Sequence, residues 1–328
     1  MTRSCVVLLS GGLDSMLAIR IMQEQRIEVE ALNFKTIFTC CQDQSAQTAR
    51  DLGVRLTVVG QEDDYLDLVK SPQFGRGKGA NPCVDCRIYM FEKAKRFMHQ
   101  IGADFIVSGE VAGQRPMSQK RRDLDRIAYH SDLEDLLLRP LSAKLLRPTL
   151  PEREGWVDRN QLYAFEGRSR KRLIALAKRL GLNEIPTPST GCSLTEPKFS
   201  KKVFDLIDAP GTSRRWDFEM LKIGRHFRYD SETKVIVGRD AAENDQLRYA
   251  HELPDATSTA ALVPENFLGP QALVIGPRTD EAIAFAASLM LRYSRGFDPA
   301  QALVRVDDQI INASENERAK SLETIAMT

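Results

Sequence analysis

Between two apolar runs the chain reads Ser10-Gly11-Gly12-Leu13-Asp14-Ser15. Adjacent glycines, two hydroxyls and one carboxylate at this spacing suit the holding of phosphate. Gly11 and Gly12 admit backbone angles that a Cβ obstructs, so amide N–H groups can turn outward at a helix start, where the dipole favours negative charge. Ser10 and Ser15 add hydroxyl donors. Asp14 would repel a phosphate directly, so its part is to hold Mg²⁺ or a bound water. The plainer reading is an ordinary strand-to-helix turn, with a serine as cap and Asp14 favoured by the dipole. Two glycines alone would not displace it.

Thiols form the second group. Cys83 and Cys86 make a CxxC pair, and Cys192 is a distant third. A structural zinc site wants four ligands, and no fourth Cys or His lies nearby in sequence. In a chain without a secretory signal, such cysteines are metal ligands, reactive thiols or core residues rather than disulfides. Cys40 and Cys41 follow an apolar run and could serve as a relay thiol, or be an incidental pair. The third group is basic: Arg115, Lys120, Arg121 and Arg122; then Arg139 and Lys144; then Arg168, Arg170, Lys171 and Arg172. Clusters of this kind match contacts to a nucleic-acid phosphate backbone. A charge run on a helix is more often a solvated face, and Asp123 and Asp125 dilute one cluster.

These groups need elements to carry them. Apolar runs at Cys5–Leu9, Val29–Phe34, Leu56–Val59 and Phe105–Val107 read as strands, and Arg87–Ile101 and Ser169–Leu180 as helices between and after them. Alternation of this kind predicts an α/β fold with a mostly parallel sheet and helices on both faces, whose ligands bind at the carboxyl ends of strands. From about Trp216 the pattern changes to a smaller α+β unit: a hairpin through His226–Tyr229 and Val235–Val237, a helix from Asp240, a strand Ala272–Ile275 and a helix Asp280–Tyr293. The expected division is residues 1–205, 206–300 and a polar tail, 301–328. The 328 residues exceed one typical core, and 42% hydrophobic with 28% charged residues is the balance of a soluble globular protein. No spanning segment or secretory signal is legible, which predicts a cytoplasmic protein with no membrane partner. A net charge of +1 leaves any nucleic-acid case to the local patches.

SGGLDS resembles the PP-loop of the ATP pyrophosphatases, whose usual form is SGGxDS after the first strand. That resemblance implies cleavage of ATP between the α and β phosphates and attachment of AMP to a substrate oxygen. Within the superfamily, Gly77–Arg87 (GKGANPCVDCR) resembles the NPC segment of the bacterial tRNA 2-thiouridine synthases, and Cys192 in GCSL falls where those enzymes carry a second essential cysteine. Where thiouridylases often read GH after the fourth strand, this chain reads SGEVAGQRPMSQ. Residues from about 216, with IGRHFRY and KVIVGRDAAEND, resemble the RNA-binding domain of the NFACT family.

What these resemblances imply is specific. The chain would thiolate tRNA or another structured RNA, adenylating a uridine carbonyl oxygen so that AMP can leave as sulfur enters. Ser10, Gly11, Gly12, Asp14, Ser15 and Gly109 would hold ATP, with Phe34 beside the adenine or simply packed in the core. Asp14, Cys83 and Cys192 would be catalytic. Cys83, Cys86 and Cys192 would ligate a [4Fe–4S] cluster with one iron open to hydrosulfide, as in some tRNA thiolases; the alternative is a relay fed by a persulfide carrier protein. Arg115, Lys120, Arg121, Arg122, Lys144, Arg170, Lys171, Arg172, His226 and Arg228 would contact RNA. Two other functions compete: adenylation of a small molecule for sulfur or amide transfer, and a non-catalytic RNA- or ribosome-binding factor with a regulatory nucleotide site.

Overall fold

The computed structural model describes residues 2–39, 44–182, 184–187, 191–211 and 213–326. They divide into two compact units, Met1–Ser193 and Leu194–Thr328.

The first unit alternates strand and helix: β1 (Ser4–Leu8), α1 (Leu13–Glu24), β2 (Glu28–Lys35), α2 (Ser45–Leu52), β3 (Arg55–Gly60), α3 (Asp64–Lys70), α4 (Cys83–Ile101), β4 (Phe105–Ser108), α5 (Arg121–His130), β5 (Leu137–Leu138), α6 (Leu150–Arg153) and α7 (Lys171–Arg179). Its five strands lie in the order β3-β2-β1-β4-β5, all parallel. Successive residues of β1 serve opposite faces. Cys5 and Val7 pack with Leu17, Ile21, Leu173 and Leu176 from α1 and α7, while Val6 and Leu8 pack with Val84, Phe91 and Met98 of α4 and Ile127 of α5. A strand buried on both faces reads as a continuous apolar run, which is why CVVLL was legible. The chain leaves β1 for β2 on one side and later enters β4 on the other. The strand order therefore reverses at the carboxyl end of β1, the place where sheets of this kind open a ligand crevice.

The second unit holds α8 (Pro197–Asp208), α9 (Arg215–Met220), β6 (Arg225–Arg228), β7 (Lys234–Val237), α10 (Ala241–His251), β8 (Ser258–Pro264), β9 (Ala272–Ile275), α11 (Asp280–Arg292), β10 (Leu303–Val306), β11 (Gln309–Asn312) and α12 (Glu317–Ser321). Its six strands run antiparallel in the order β11-β10-β8-β9-β7-β6. One face is covered by α11, through Phe285, Ala286, Leu289 and Met290. The other meets Trp216 and Met220 of α9 and Leu247 and Ala250 of α10.

Two expectations about organisation give way here. The boundary falls before α8, not at residue 205, because Asp205 of α8 takes both Arg228 of β6 (2.7 Å) and Lys234 of β7 (3.0 Å). The polar tail expected from residue 301 is a folded hairpin, β10 paired with β8 and β11. Its fully buried strand positions are Val304 and Val306, on either side of exposed Arg305, while Ile310 of β11 is exposed and Ile311 only partly buried, so the short alternation passes for irregular chain. No helix among the described residues is long and apolar enough to cross a membrane.

Candidate active site at the carboxyl edge of the parallel sheet

The loop after β1 turns at Gly11, whose φ of +73° is open to glycine and costly for other residues. A Cβ there would also crowd the backbone of Ser45 at 3.1 Å and of Gln44 at 3.2 Å. Ser15, in the first turn of α1, donates its hydroxyl to the Gly12 carbonyl (2.8 Å) and accepts the Ser10 amide (3.3 Å). The two serine hydroxyls lie 3.4 Å apart. The loop is thus closed on itself and presents a hydroxyl pair beside the start of α1. Gly109, just after β4, supplies the other wall. A Cβ on it would sit 2.4 Å from the Asp14 carbonyl carbon and oxygen, so only glycine lets the two loops approach this closely.

Asp14 is the carboxylate of this cradle. One of its oxygens, Oδ1, is buried without a hydrogen-bond partner. Burial pushes its carboxyl above the usual range, partly countered by a hydrogen bond from Gln114 and by the charges of Arg170 and Arg115. An orphaned anionic oxygen of that kind fits a divalent cation. Arg115 also lies within electrostatic reach of Cys83, Arg87 and Glu110. It links the cradle to the thiols.

Glu110 fixes that linkage. It is 2% exposed, bonded by Arg139 (Nε to Oε2, 2.9 Å) and Ser108 (3.1 Å), with Arg87 Nε 3.4 Å from its other oxygen. Burial alone would raise its pKa, but Arg139 and Arg87 outweigh that and hold it below the ordinary glutamate range. Arg87 follows Cys86 directly on α4, so this buried carboxylate anchors the helix turn that carries the CxxC pair.

The three cysteines meet around one phenol. Tyr65 of α3, 1% exposed, donates its hydroxyl to Cys86 Sγ at 3.2 Å and lies within electrostatic reach of Cys83 and Cys192 as well. Cys83 Sγ accepts from Asn81 Nδ2 at 3.0 Å. Cys192 is drawn in by an antiparallel bridge to Thr39, with the Ser193 amide donating to Phe38 O (3.1 Å). Burial pushes the Cys86 thiol up, and Tyr65 and Arg87 pull it back. Among the described residues, no group of three or more His, Cys, Asp or Glu side chains could hold a metal ion. Each of the CxxC sulfurs accepts from its own donor, Asn81 for Cys83 and Tyr65 for Cys86. Cys40 and Cys41 lie outside the described residues.

The basic residues separate into groups. Arg115 and Arg170, expected on RNA, belong to the cradle through Asp14. Lys120, Arg121 and Arg122 stand exposed at the start of α5, and Lys171 and Arg172 are exposed on α7. Lys144 lies elsewhere, with its Nζ on Asn160 O (2.7 Å), beside Gln25 at the far end of α1 from the cradle; twelve helical residues span about 18 Å. The expectation for His226 gives way to its burial, and Arg228 is paired within its own unit. His226 is 1% exposed with Nε2 on Ile223 O (2.8 Å), and burial beside Lys234 and Lys202 keeps its imidazole neutral far below the usual pKa. Arg228 is clamped on Asp205. Phe34, 8% exposed, packs edge-on to Tyr89 at 5.7 Å and near Tyr65 at 6.5 Å, the core role weighed for it.

Sequence reasoning missed Tyr65, Arg87, Gln114 and Glu110. Arg87 sits inside the quoted CVDCR segment, and Glu110 one residue past Gly109, so adjacency to motif residues was the available signal. Tyr65 had none.

Comparison with known proteins follows the same two-unit division. Residues 3–151 match the family described as the tRNA methyl transferase HUP domain, and residues 224–325 the NFACT protein RNA binding domain. Among curated proteins, the tRNA-specific 2-thiouridylase MnmA of Petrotoga mobilis is 30% identical over 132 residues, covering 33% of this chain and 35% of that protein. The protein of the same name from Listeria monocytogenes is 24% identical over 271 residues, covering 73% of this chain and 69% of that one. The chain spans about a third of the length of the first curated relatives it matches. A 4-thiouridine synthetase–RNA complex with bound ATP overlays at TM-score 0.37 with 21% identity, over 55% of this chain and 41% of that one. That likeness is too low to bear on fold or chemistry. The fold rests on the strand order itself.

Proposed function

We propose that this protein is an ATP pyrophosphatase that thiolates RNA, tRNA being the substrate class its relatives' names suggest. The observation that carries the reading is the single crevice edge shared by the SGGLDS loop, Asp14 and the cysteines, joined through Arg115 and Glu110. Amide and hydroxyl donors of Ser10–Ser15 would hold the pyrophosphate portion of ATP. Asp14 would hold Mg²⁺, which supplies charge neutralisation as pyrophosphate departs. Arg115 and Arg170, already within reach of Asp14, would stabilise the negative charge that grows between the α and β phosphates. The uridine carbonyl oxygen attacks the α-phosphorus, pyrophosphate leaves, and the base carries AMP as a leaving group.

For sulfur entry we take the relay reading, in which the Tyr65 and Asn81 donors would favour the thiolates of Cys86 and Cys83. A persulfide on one crevice cysteine would attack the activated carbon and expel AMP. The remaining base–sulfur–cysteine disulfide would be opened by a second thiol, giving a cysteine disulfide and the thiolated base, with a cellular dithiol restoring the pair. Tyr65 is placed to stabilise the thiolate of Cys86 by its hydroxyl hydrogen.

Product analysis tests the nucleotide half. With tRNA present, ATP should yield AMP and pyrophosphate, and Asp14→Ala should lower that rate by at least about a hundredfold, the scale of losing one preorganised charge-stabilising group, without unfolding the chain. ADP and inorganic phosphate as products would sink the assignment.

A further inference from the structure

The arginines of the C-terminal unit fall into two kinds. Arg215, Arg228, Arg239, Arg248, Arg278 and Arg305 each hold a carboxylate. Arg214, Arg225, Arg292, Arg295 and Arg318 pair with no carboxylate among the described residues; Arg318 lies on the Tyr229 carbonyl and ring, while Arg225, Arg292 and Arg295 line one open basin of about 670 Å³. The basin lies between the start of β6, the segment 238–241 and the end of α11.

Two of these guanidinium groups are fixed without being neutralised. Arg225 lies over the Tyr293 ring, 4.4 Å from its centroid, and donates to the Gly238 carbonyl at 3.1 Å. Arg292 is 5.4 Å from the same centroid and donates to the carbonyls of Ala319 (2.9 Å) and Leu322 (2.7 Å). Carbonyl and ring partners satisfy geometry but leave the full positive charge in place, so the pair is preorganised for an anion. Arg295 is exposed beside them. Arg239 joins the lining but spends its charge on Glu243; Asp240, the carboxylate of the lining, caps α10 (3.0 Å to the Glu243 amide) and keeps its charge, so three unpaired guanidinium groups face one carboxylate. The floor is fixed too: Asn244 accepts the Gln271 amide at 2.9 Å, and the Gly238 amide bonds Gln271 O at 3.0 Å.

The geometry points to this basin as a binding site for the phosphate backbone of RNA. This rests on the RNA-directed reading above and names the surface on which the substrate would dock. Breadth and openness argue against a site for a single phosphate ion, which is usually enclosed by several converging donors. Leu268, 91% exposed, also lines the basin, and gives an unstacked base an apolar surface beside the charges. Phosphate contacts position a nucleic acid without reading its sequence, which suits a module appended to a catalytic unit. The motif resemblance had pointed to His226 and Arg228. The next residue back along β6, Arg225, faces the basin instead.

The test uses the full chain and a fluorescently labelled, unmodified tRNA transcript, with affinity measured by anisotropy across a series of KCl concentrations. Arg295→Ala should reduce the log–log salt slope by about one, and Arg225→Ala with Arg295→Ala by about two, with at least a tenfold weaker affinity at low salt for the pair. Arg278→Ala, whose charge is spent on Asp307, should leave the slope in place. Arg295 is exposed and holds no ion pair among the described residues, so its single variant keeps the test open if the double variant unfolds. An unchanged slope in both variants would overturn the proposal. Competition by inorganic phosphate beyond its effect on ionic strength would also overturn it, by marking a small-anion site. The thiolation reading fails separately: normal salt slopes with no pyrophosphate release from ATP would reject that reading and leave the basin standing.

Discussion

Arginine is used in opposite ways by the two units. Around Glu110 in the first, buried Arg139 and half-buried Arg87 are matched to a carboxylate, and what they determine is where the Cys83–Cys86 turn and the loop after β4 sit. In the basin of the second, Arg225, Arg292 and Arg295 are matched to carbonyls, a ring or nothing, and their charge remains available. A buried, paired arginine is part of the scaffold, and removing its partner strands a charge in low dielectric. An accessible arginine without a carboxylate contributes little to folding and waits on a ligand. Sequence cannot separate the two kinds, since both are an Arg among polar residues.

The largest effect expected from this contrast is on stability. Glu110→Gln leaves Arg139, only 5% exposed, without its counter-charge and should cost about 3–5 kcal/mol in urea unfolding. The double change Glu110→Gln with Arg139→Met should recover much of that. By comparison Arg305→Ala, which breaks the accessible pair with Glu265, should cost under about 1 kcal/mol. Equal losses at the two sites would undo the distinction. Next in size is Gly109→Ala, whose methyl would press on the Asp14 backbone; about 1–3 kcal/mol is the usual scale of such overpacking. ATP binding should fall with it, measured by calorimetry on the folded fraction.

Smaller effects refine the charge argument. Tyr65→Phe keeps the ring among Phe34, Phe38 and Tyr89 but removes the hydrogen given to Cys86. The pH midpoint for iodoacetamide alkylation of Cys86, followed by peptide mass, should rise, because the hydrogen bond that favours the thiolate is gone. An unmoved midpoint would remove Tyr65 from the account of the thiols. In the second unit, burial with Lys234 and Arg239 nearby pushes the Lys202 ammonium down to about 8. Between that value and about 10.4 for the unfolded chain, the unfolded state binds more protons, so stability rises with pH through this window. Lys202→Met should flatten the rise, and a slope that persists would assign it to another group.

What the sequence disclosed depended on how local the determinant was. β1, the SGGLDS turn and α4 were legible because burial on both faces, a glycine-rich break and a 3.6-residue stripe are each written in a dozen contiguous residues. β10 and β11 were not, since a short edge hairpin with one face in water carries too few apolar positions. At the site the motif residues were found, while Tyr65, Glu110 and Gln114 were missed, because a hydrogen bond from α3 to α4 or a buried ion pair across loops leaves no periodic mark. The burial of His226 and the pairing of Arg228 were hidden for the same reason. Their neighbours in space, Asp205 and Lys234, decide their fate, and neither is visible from the motif.

The central claim is RNA thiolation at the crevice edge. The most direct test incubates the purified chain with unmodified tRNA, ATP and a persulfide donor, then measures thiolated uridine by nucleoside mass spectrometry. The account predicts a thiouridine that requires ATP and disappears in Asp14→Ala and in Cys83→Ala. Substrate turnover that leaves every uridine oxygen in place, or thiolation undiminished by Cys83→Ala, would contradict it.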